Sequence, residues 1–326
     1  LPLAFVTGAT GFLGLNLVER LAAGGWEIVA LHRAGSDTGR LARFPARRVV
    51  GDIADRAAVE AALPTGTDVV FHCAANTAMW SRRYQEQWRD NVTGTESMLA
   101  AARARHAKRF VHVSTVSVYG HGHGLLTEAS PQIAPAGLGY GPSKAAAEAA
   151  VKRAAGEGFP AVIVNPAHMV GRYDTHNWAR MIEMTVKGTL PGVPPGAGSF
   201  CHATVVADAM IAAAARGRPG QNYILAGADA SFLEVFHVIG RLTGKTVPVR
   251  AMPAAALRFY ARVLAGIAAI TGREPRITPA IAAVVTGHAR FSCARAIREL
   301  GYQPVSIAAM LEDAYGWMKD EGLLGA

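Results

Sequence analysis

Cysteine is scarce in this chain: Cys73, Cys201 and Cys293 are the only three in 326 residues, they lie far apart, and none forms a C-x-x-C pair. An odd number at such spacing excludes a disulfide framework or a cysteine zinc site and predicts a protein of the reducing cytoplasm. Charge is sparse as well, at 17% against 51% hydrophobic residues, which excludes disorder and favours a well-buried parallel sheet. Acidic side chains number 24 against 33 basic ones, giving a net charge of +9. Arginine outnumbers lysine roughly four to one. The arginines are scattered apart from short groups at Arg47-Arg48, Arg82-Arg83 and Arg103 to Arg109, and no interleaved aromatics accompany them, so no nucleic-acid strip is expected. No uninterrupted apolar run is long enough to span a bilayer. The nearest, Ala254 to Ile270, is interrupted by Arg258 and Arg262, so an amphipathic or substrate-covering helix is expected there without stable membrane insertion. The first residues show no basic segment followed by a cleavable apolar one, and there is no internal repeat.

What the chain does have begins at Leu3 to Val6, an apolar strand that runs through Thr7-Gly8-Ala9-Thr10-Gly11-Phe12-Leu13-Gly14 into an apolar-periodic helix. Lacking a Cβ, Gly8 takes the tight turn, Gly11 lets backbone approach a pyrophosphate, and Gly14 lets the helix pack closely on its strand. The helix N-terminus, with Thr10, Phe12 and Leu13 around it, then points N–H groups at phosphates. The spacing is one residue longer than the common dinucleotide fingerprint.

A second strand, Trp26 to Leu31, ends at His32-Arg33, where a carboxylate would bind ribose hydroxyls and an arginine instead pairs with a 2′-phosphate. Arg33 therefore favours NADP(H) over NAD(H), unless it is only a solvated charge. A third strand, Arg48 to Val50, leads into Gly51-Asp52-Ile53, where Asp52 either contacts adenine or caps the helix beginning near Asp55. The fourth strand, Thr67 to Phe71, runs into His72-Cys73-Ala74-Ala75, whose small residues let backbone lie against a cofactor. Asn91 opens the next helix, Asn91 to Arg105, as either an N-cap or a site residue.

The fifth strand, Arg109 to Val113, ends in Ser114-Thr115. Beyond it, Tyr140-Gly141-Pro142-Ser143-Lys144 opens an alanine-rich helix, with Pro142 well placed in a first turn. Tyr140 and Lys144 lie four residues apart and share one face. A phenol with a pKa near 10 is a poor acid or base at neutral pH, but an adjacent ammonium and a helix N-terminus both favour phenolate. A hydroxyl from Thr115 or Ser114 would hold the substrate oxygen that exchanges its proton with Tyr140. After a sixth strand, Ala161 to Val164, comes Asn165-Pro166-Ala167-His168-Met169-Val170-Gly171-Arg172, and the regular alternation weakens. Helices are predicted at Ser231 to Thr243, Pro253 to Thr271, Pro279 to Val285 and Ile307 to Glu321, with a short strand at Tyr223 to Leu225. The expected fold is α/β: a Rossmann-like, doubly wound parallel sheet over residues 1–170, rejoined by about 203–226, with a smaller, mostly helical substrate lobe over 171–326. His121 and His123 lack partners at metal-ligand spacing, so no metal site is expected.

These motifs, in this order, resemble the extended short-chain dehydrogenase/reductases over essentially the whole chain, within them the dihydroflavonol reductase and 3β-hydroxysteroid dehydrogenase-like branch that includes hopanoid-associated sugar epimerases. The resemblance implies Tyr140 as general acid/base, Lys144 as its tuner and ribose ligand, Thr115 in the serine/threonine position and Asn91 in the supporting site. It also implies Asp52 at the adenine, with Ile53, Ala74, Ala75, Pro166 and His168 along the cofactor. A small-molecule substrate follows, and in relatives helices equivalent to Asn91 to Arg105 and Pro142 to Ala155 often form a homodimer. Met79, Trp80, His168, Met169 and Phe200, expected on loops at the strand ends, either line an apolar substrate pocket beside Thr115 or pack the loops. The leading expectation is an NADP(H)-dependent reductase or dehydrogenase. Its alternatives are a sugar-nucleotide epimerase on tightly held NAD, with Arg172, Arg180 and Arg216 on the diphosphate, and a non-catalytic cofactor sensor. Two departures from the family stand out: His202-Ala203-Thr204-Val205 carries no acidic pair, and Val170-Gly171-Arg172 replaces the aromatic-glycine-proline ending of the sugar-nucleotide branch.

Overall fold

The structure is a computed structural model that describes residues 1–120, 124–133 and 138–324, so His121 and His123 lie outside the described residues. In chain order its first half holds β1 (Leu3–Thr7), α1 (Phe12–Ala23), β2 (Glu27–His32), β3 (Ala46–Val50), α2 (Arg56–Ala62), β4 (Val69–His72), α3 (Tyr84–Trp88), α4 (Gly94–Ala104), β5 (Phe110–Val113), β6 (Leu125–Leu126) and α5 (Tyr140–Gly156). There follow β7 (Ala161–Pro166), β8 (His168–Val170), α6 (Trp178–Val186), β9 (Ala197–His202), α7 (Ala203–Arg216), β10 (Asn222–Leu225), β11 (Asp229–Ser231) and α8 (Phe232–Thr243). The chain closes with α9 (Ala254–Thr271), α10 (Pro279–Val285), β12 (Arg290–Phe291), α11 (Ala294–Leu300) and α12 (Ile307–Asp320).

Seven strands form one parallel sheet in the order β10-β7-β5-β4-β1-β2-β3. The strands β4, β5 and β7, and the edge strand β10, are buried at every position, as strands covered on both faces must be, and their apolar runs reflect this. One face packs on Leu13 to Leu21 of α1 and Val206 to Ala213 of α7; the other packs on α2, α4 and α5. The chain walks outward from β1 to β3 and then crosses back to β4 beside β1. The crevice this reversal leaves at the carboxyl ends of β1 and β4 is where doubly wound sheets bind ligands. The fold is thus the α/β Rossmann-like sheet with a helical C-terminal region that the motifs predict.

Two sequence expectations give way here. Asn91 does not begin a helix: the backbone is already helical from Tyr84 and passes through a π-helical turn at Arg89–Thr93, so Asn91 lies inside a continuous helical path and cannot be an N-cap. The segment after β7 is also not all loop. β8 and β9 pair in parallel, β9 and β11 antiparallel, in a small separate sheet that carries His168, Met169 and Phe200. Around this sheet α6, α8 and α12 close a third core of Trp178, Ile182, Phe232, Phe236, Met310 and Leu311. α8 is held at its start by a capping box between Ser231 and Glu234.

Candidate active site at the switch point

The glycine turn shows why each glycine is there. Gly8 sits at φ +67°, and a Cβ on it would come within 2.7 Å of the Ala74 backbone N at the end of β4. A Cβ on Gly14 would come within 2.0 Å of the Gly8 carbonyl, so α1 packs closely on the turn itself rather than on the strand. Gly11 meets only the Gly8 oxygen at 3.3 Å and faces a cleft of about 420 Å³. Thr10, Gly11, Arg33, Asp52, Ile53, Ala74 and Ala75 line this cleft together with Gly8. A channel bounded by glycine and alanine backbone at a helix N-terminus fits a dinucleotide, whose pyrophosphate needs backbone that approaches closely. The other residues expected around a cofactor do not line the cleft: Phe12 opens α1, Leu13 belongs to the core, Gly14 supports the turn and Pro166 ends β7. His168 stands in β8 with its ring 5.3 Å from that of Phe200 and 5.6 Å from that of Phe232.

At the adenosine end, Arg33 is exposed on the cleft rim just past β2 and shares that rim with His32 and Ser36. Asp52 does not cap α2; Asp55 does, accepting from the Ala58 N–H at 3.1 Å. Asp52 instead accepts from the Ala54 N–H at 2.9 Å and pairs with Arg89. Burial opposes its ionisation, but the bonds from Arg89 and Ala54 outweigh it and hold the carboxyl below its usual range. The π turn has its own use. The side chain of Asn91 accepts from the Asn76 N–H at 2.7 Å and donates to the Asn76 carbonyl at 3.0 Å and to Ser143 Oγ at 3.0 Å. It thereby ties the strand-end loop of the cleft to the helix of Tyr140.

Thr115, Tyr140 and Lys144 come together where α5 crosses the end of β5. The Thr115 hydroxyl accepts from the Ser117 N–H and donates to Ser117 Oγ, both at 3.2 Å, and lies close enough to the Tyr140 phenol to favour its ionised form, whereas Ser114 is buried with no partner for its hydroxyl among the described residues. Lys144 is 1% exposed and donates to the Val113 carbonyl at 2.8 Å. Burial pushes its ammonium down to about 8, opposed by the Glu148 carboxylate one turn along. Tyr140 departs from expectation. Burial raises its phenol to about 12, with the nearby Thr115 hydroxyl only partly offsetting this, so at neutral pH the hydroxyl keeps its proton. Glu148 escaped sequence reading, although it continues the same four-residue step from Tyr140 through Lys144. It is fully buried and accepts from Asn165 at 2.5 Å, Gln132 at 2.7 Å and Asn222 at 2.8 Å. Asn165 also donates to the Thr115 carbonyl at 3.1 Å, so one buried network sets Thr115 against α5.

Of the expected substrate residues, Met79 and Trp80 line a second cavity of about 240 Å³ with Tyr84, Ala265, Ala269 and Pro279. Tyr84 reaches toward the start of α5, since a Cβ on Gly139 would stand 3.7 Å from its ring. Phe200 is not a pocket residue: strand pairing buries it completely, against Trp178 and Phe232. Met169 likewise sits in β8 and packs on the main core. Arg172 is engaged by Asp313 at 2.7 Å and by Glu19 at 3.5 Å, and Arg216 by the Leu300 carbonyl, while Arg180 is exposed on α6. The carboxylate lacking after His202 arrives from α12. Asp313 accepts from the Arg172 N–H at 2.8 Å and lies 3.1 Å from His202 Nε2. Nothing in the local sequence signals this pairing.

A family model described as the NAD dependent epimerase/dehydratase family matches residues 4–227. The chain belongs to that family. Within it, sterol demethylase protein B of Methylococcus capsulatus is 30% identical, the match covering 98% of this chain and 99% of that one. The 4-hydroxy-2-methyl-3-oxo-4-farnesyl-3,4-dihydroquinoline-1-oxide ketoreductase of Stigmatella aurantiaca is 36% identical over 225 residues, 68% of this chain and 67% of its own length. The crystal structure of gox2253 is similar throughout, with a TM-score of 0.85, 29% identity and 99% coverage of both chains. The chain is therefore an extended short-chain dehydrogenase/reductase, an oxidoreductase family for which an NAD(P) cofactor is expected.

Proposed function

We propose that the chain is an NADP(H)-preferring reductase, or the reverse dehydrogenase, acting on the carbonyl or secondary alcohol of a rather apolar small molecule. The observation that carries this reading is the placement of Thr115, Tyr140 and Lys144 together at the end of β5 and the start of α5, with Asn91 tying α5 to the Asn76 loop that lines the glycine-rich cleft. When bound, NADPH supplies the hydride that reduces the carbonyl carbon. The residues of the chain handle the oxygen. Thr115 holds the carbonyl oxygen by a hydrogen bond, and Tyr140 gives it a proton. A phenol held up to about 12 is protonated at neutral pH and so is ready to act as the acid, which suits reduction. Lys144, one turn along α5, carries the positive charge that stabilises the phenolate left behind. Glu148 and Asn165 position this set, and Asn91 anchors the cofactor-side loop.

Arg33 on the cleft rim, with no carboxylate at the end of β2, supports the 2′-phosphate preference. The apolar substrate is supported by the Met79, Trp80, alanine and proline lining of the second cavity, and by relatives named for sterol and farnesyl-quinoline chemistry. The epimerase alternative loses two of its diphosphate ligands, because Arg172 and Arg216 are already engaged. The test is to purify the protein, analyse copurified nucleotide, and follow NADPH consumption with apolar ketones and, separately, conversion of nucleotide sugars. Exchangeable cofactor with ketone-dependent NADPH oxidation is expected. Stoichiometric, non-exchanging NAD with nucleotide-sugar epimerisation would overturn the reading.

A further inference from the structure

Among the described residues, α9 is the one helix long and apolar enough by length and composition to cross a membrane. Its packing ties one face of it to the rest of the fold. Leu257, Ala261 and Ala268 form a buried stripe, the helix lies against α10, and Ala265 and Ala269 wall the cavity under Trp80. Arg82 further pins it, donating to the Ala269 carbonyl at 2.9 Å. Drawing α9 into hydrocarbon would strip away those contacts and immerse Arg258 and Arg262.

The opposite side is bare. Phe259 is 70% exposed, Ile270 89%, Ile267 51%, Tyr260 48% and Val263 43%. At 100° per residue these five side chains fall within one arc of about 100°, which makes a single continuous apolar stripe over the length of the helix. Soluble monomers seldom leave such a stripe in water. The charge around it has one sign. Between Lys245 and Thr278 the basic side chains are Lys245, Arg250, Arg258, Arg262, Arg273 and Arg276, and the single acid, Glu274, lines the cofactor cleft. Arg250 precedes α9, Arg273 and Arg276 follow it, and Arg262 flanks the stripe at mid-helix; all four are exposed.

We propose that α9 docks this protein on the surface of an anionic lipid bilayer, lying in the plane of the headgroups with Phe259, Val263, Ile267 and Ile270 dipped into the acyl boundary and the flanking guanidiniums on lipid phosphates. An apolar arc rimmed by arginine on an exposed helix is the pattern that binds such interfaces. A second copy of the chain fits less well, because an isologous contact through α9 would bring the same arginines together without acidic partners. The docking is independent of the reaction proposed above.

The test is cosedimentation with vesicles of phosphatidylcholine alone and of phosphatidylcholine with phosphatidylglycerol. The wild-type protein binds the anionic vesicles, and loses most of that binding at high salt and on neutral vesicles. A Phe259→Ser/Ile267→Ser/Ile270→Ser variant, altered only at exposed positions, binds at least about tenfold more weakly. An Arg262→Glu/Arg276→Glu variant loses the preference for phosphatidylglycerol, which separates the charge contribution from the apolar one. The proposal is overturned if the wild type leaves all vesicles in the supernatant, if the serine variant binds as the wild type does, or if light scattering finds a dimer that the serine substitutions make monomeric.

Discussion

Replacing Lys144 by Met should make the protein more stable and less active. Lys144 is buried, and burial lowers its ammonium from 10.5 to about 8. Holding that charge inside the fold at pH 7 therefore costs roughly 3 kcal/mol relative to the unfolded chain. Methionine removes the charge, has similar bulk and forfeits the bond to the Val113 carbonyl, a loss of about 1–2 kcal/mol. The net expectation is a gain of about 1–2 kcal/mol at pH 7, measured by urea unfolding. The pH dependence gives the sign independently. Between pH 8 and 10.5 the unfolded chain keeps the Lys144 proton and the folded one does not, so wild-type stability rises with pH through that window. The advantage of the variant must shrink over the same range and vanish or reverse above it. A variant less stable than wild type at pH 7, or a difference that stays constant from pH 7 to 10, would refute the claim that Lys144 is a costly buried charge retained for chemistry.

Asp313→Asn tests the tie between α12 and the sheet. Burial alone would raise the Asp313 carboxyl, but bonds from His202 and Arg172 hold it far below the usual range, so its stabilising contribution is present above about pH 4 and lost as pH falls further. The variant should be less stable by roughly 1–3 kcal/mol at pH 7 and converge with wild type in acid unfolding experiments. Arg33→Ser should cut the preference for NADPH over NADH by about tenfold or more with little change for NADH, checked by kcat/KM with each cofactor. An unchanged ratio would make Arg33 a surface charge only.

The residues that could be read from sequence are those whose reason is local. Gly8 and Gly14 are constrained by contacts with their own turn and the neighbouring strand end, and Tyr140 and Lys144 share one helical turn, so motif order and spacing together single them out. Asp313 shows the opposite case: it meets Arg172 across 141 residues, and no periodicity carries that information. Phe200 looked like a pocket residue because a Pro- and Gly-rich stretch hides a strand, and the pairing of β9 with β8 and β11 decides its burial. Asn91 was legible as a residue of interest but not in its role, since a π turn replaced the helix start that would have made it a cap. Tyr140 shows where spacing misleads on chemistry. Proximity to Lys144 argues for phenolate, yet desolvation at the end of β5 dominates and keeps the phenol protonated.

If Tyr140 moves the proton in an NAD(P)-dependent reduction, removing its hydroxyl removes the proton donor and leaves the cofactor cleft intact. The most direct measurement compares wild type with Tyr140→Phe, following NADPH consumption with an apolar ketone and, separately, NADPH binding by fluorescence. Tyr140→Phe is expected to lower the rate by about 10²–10⁴-fold with cofactor affinity unchanged. Equal rates in the two proteins, with cofactor bound in both, would contradict it.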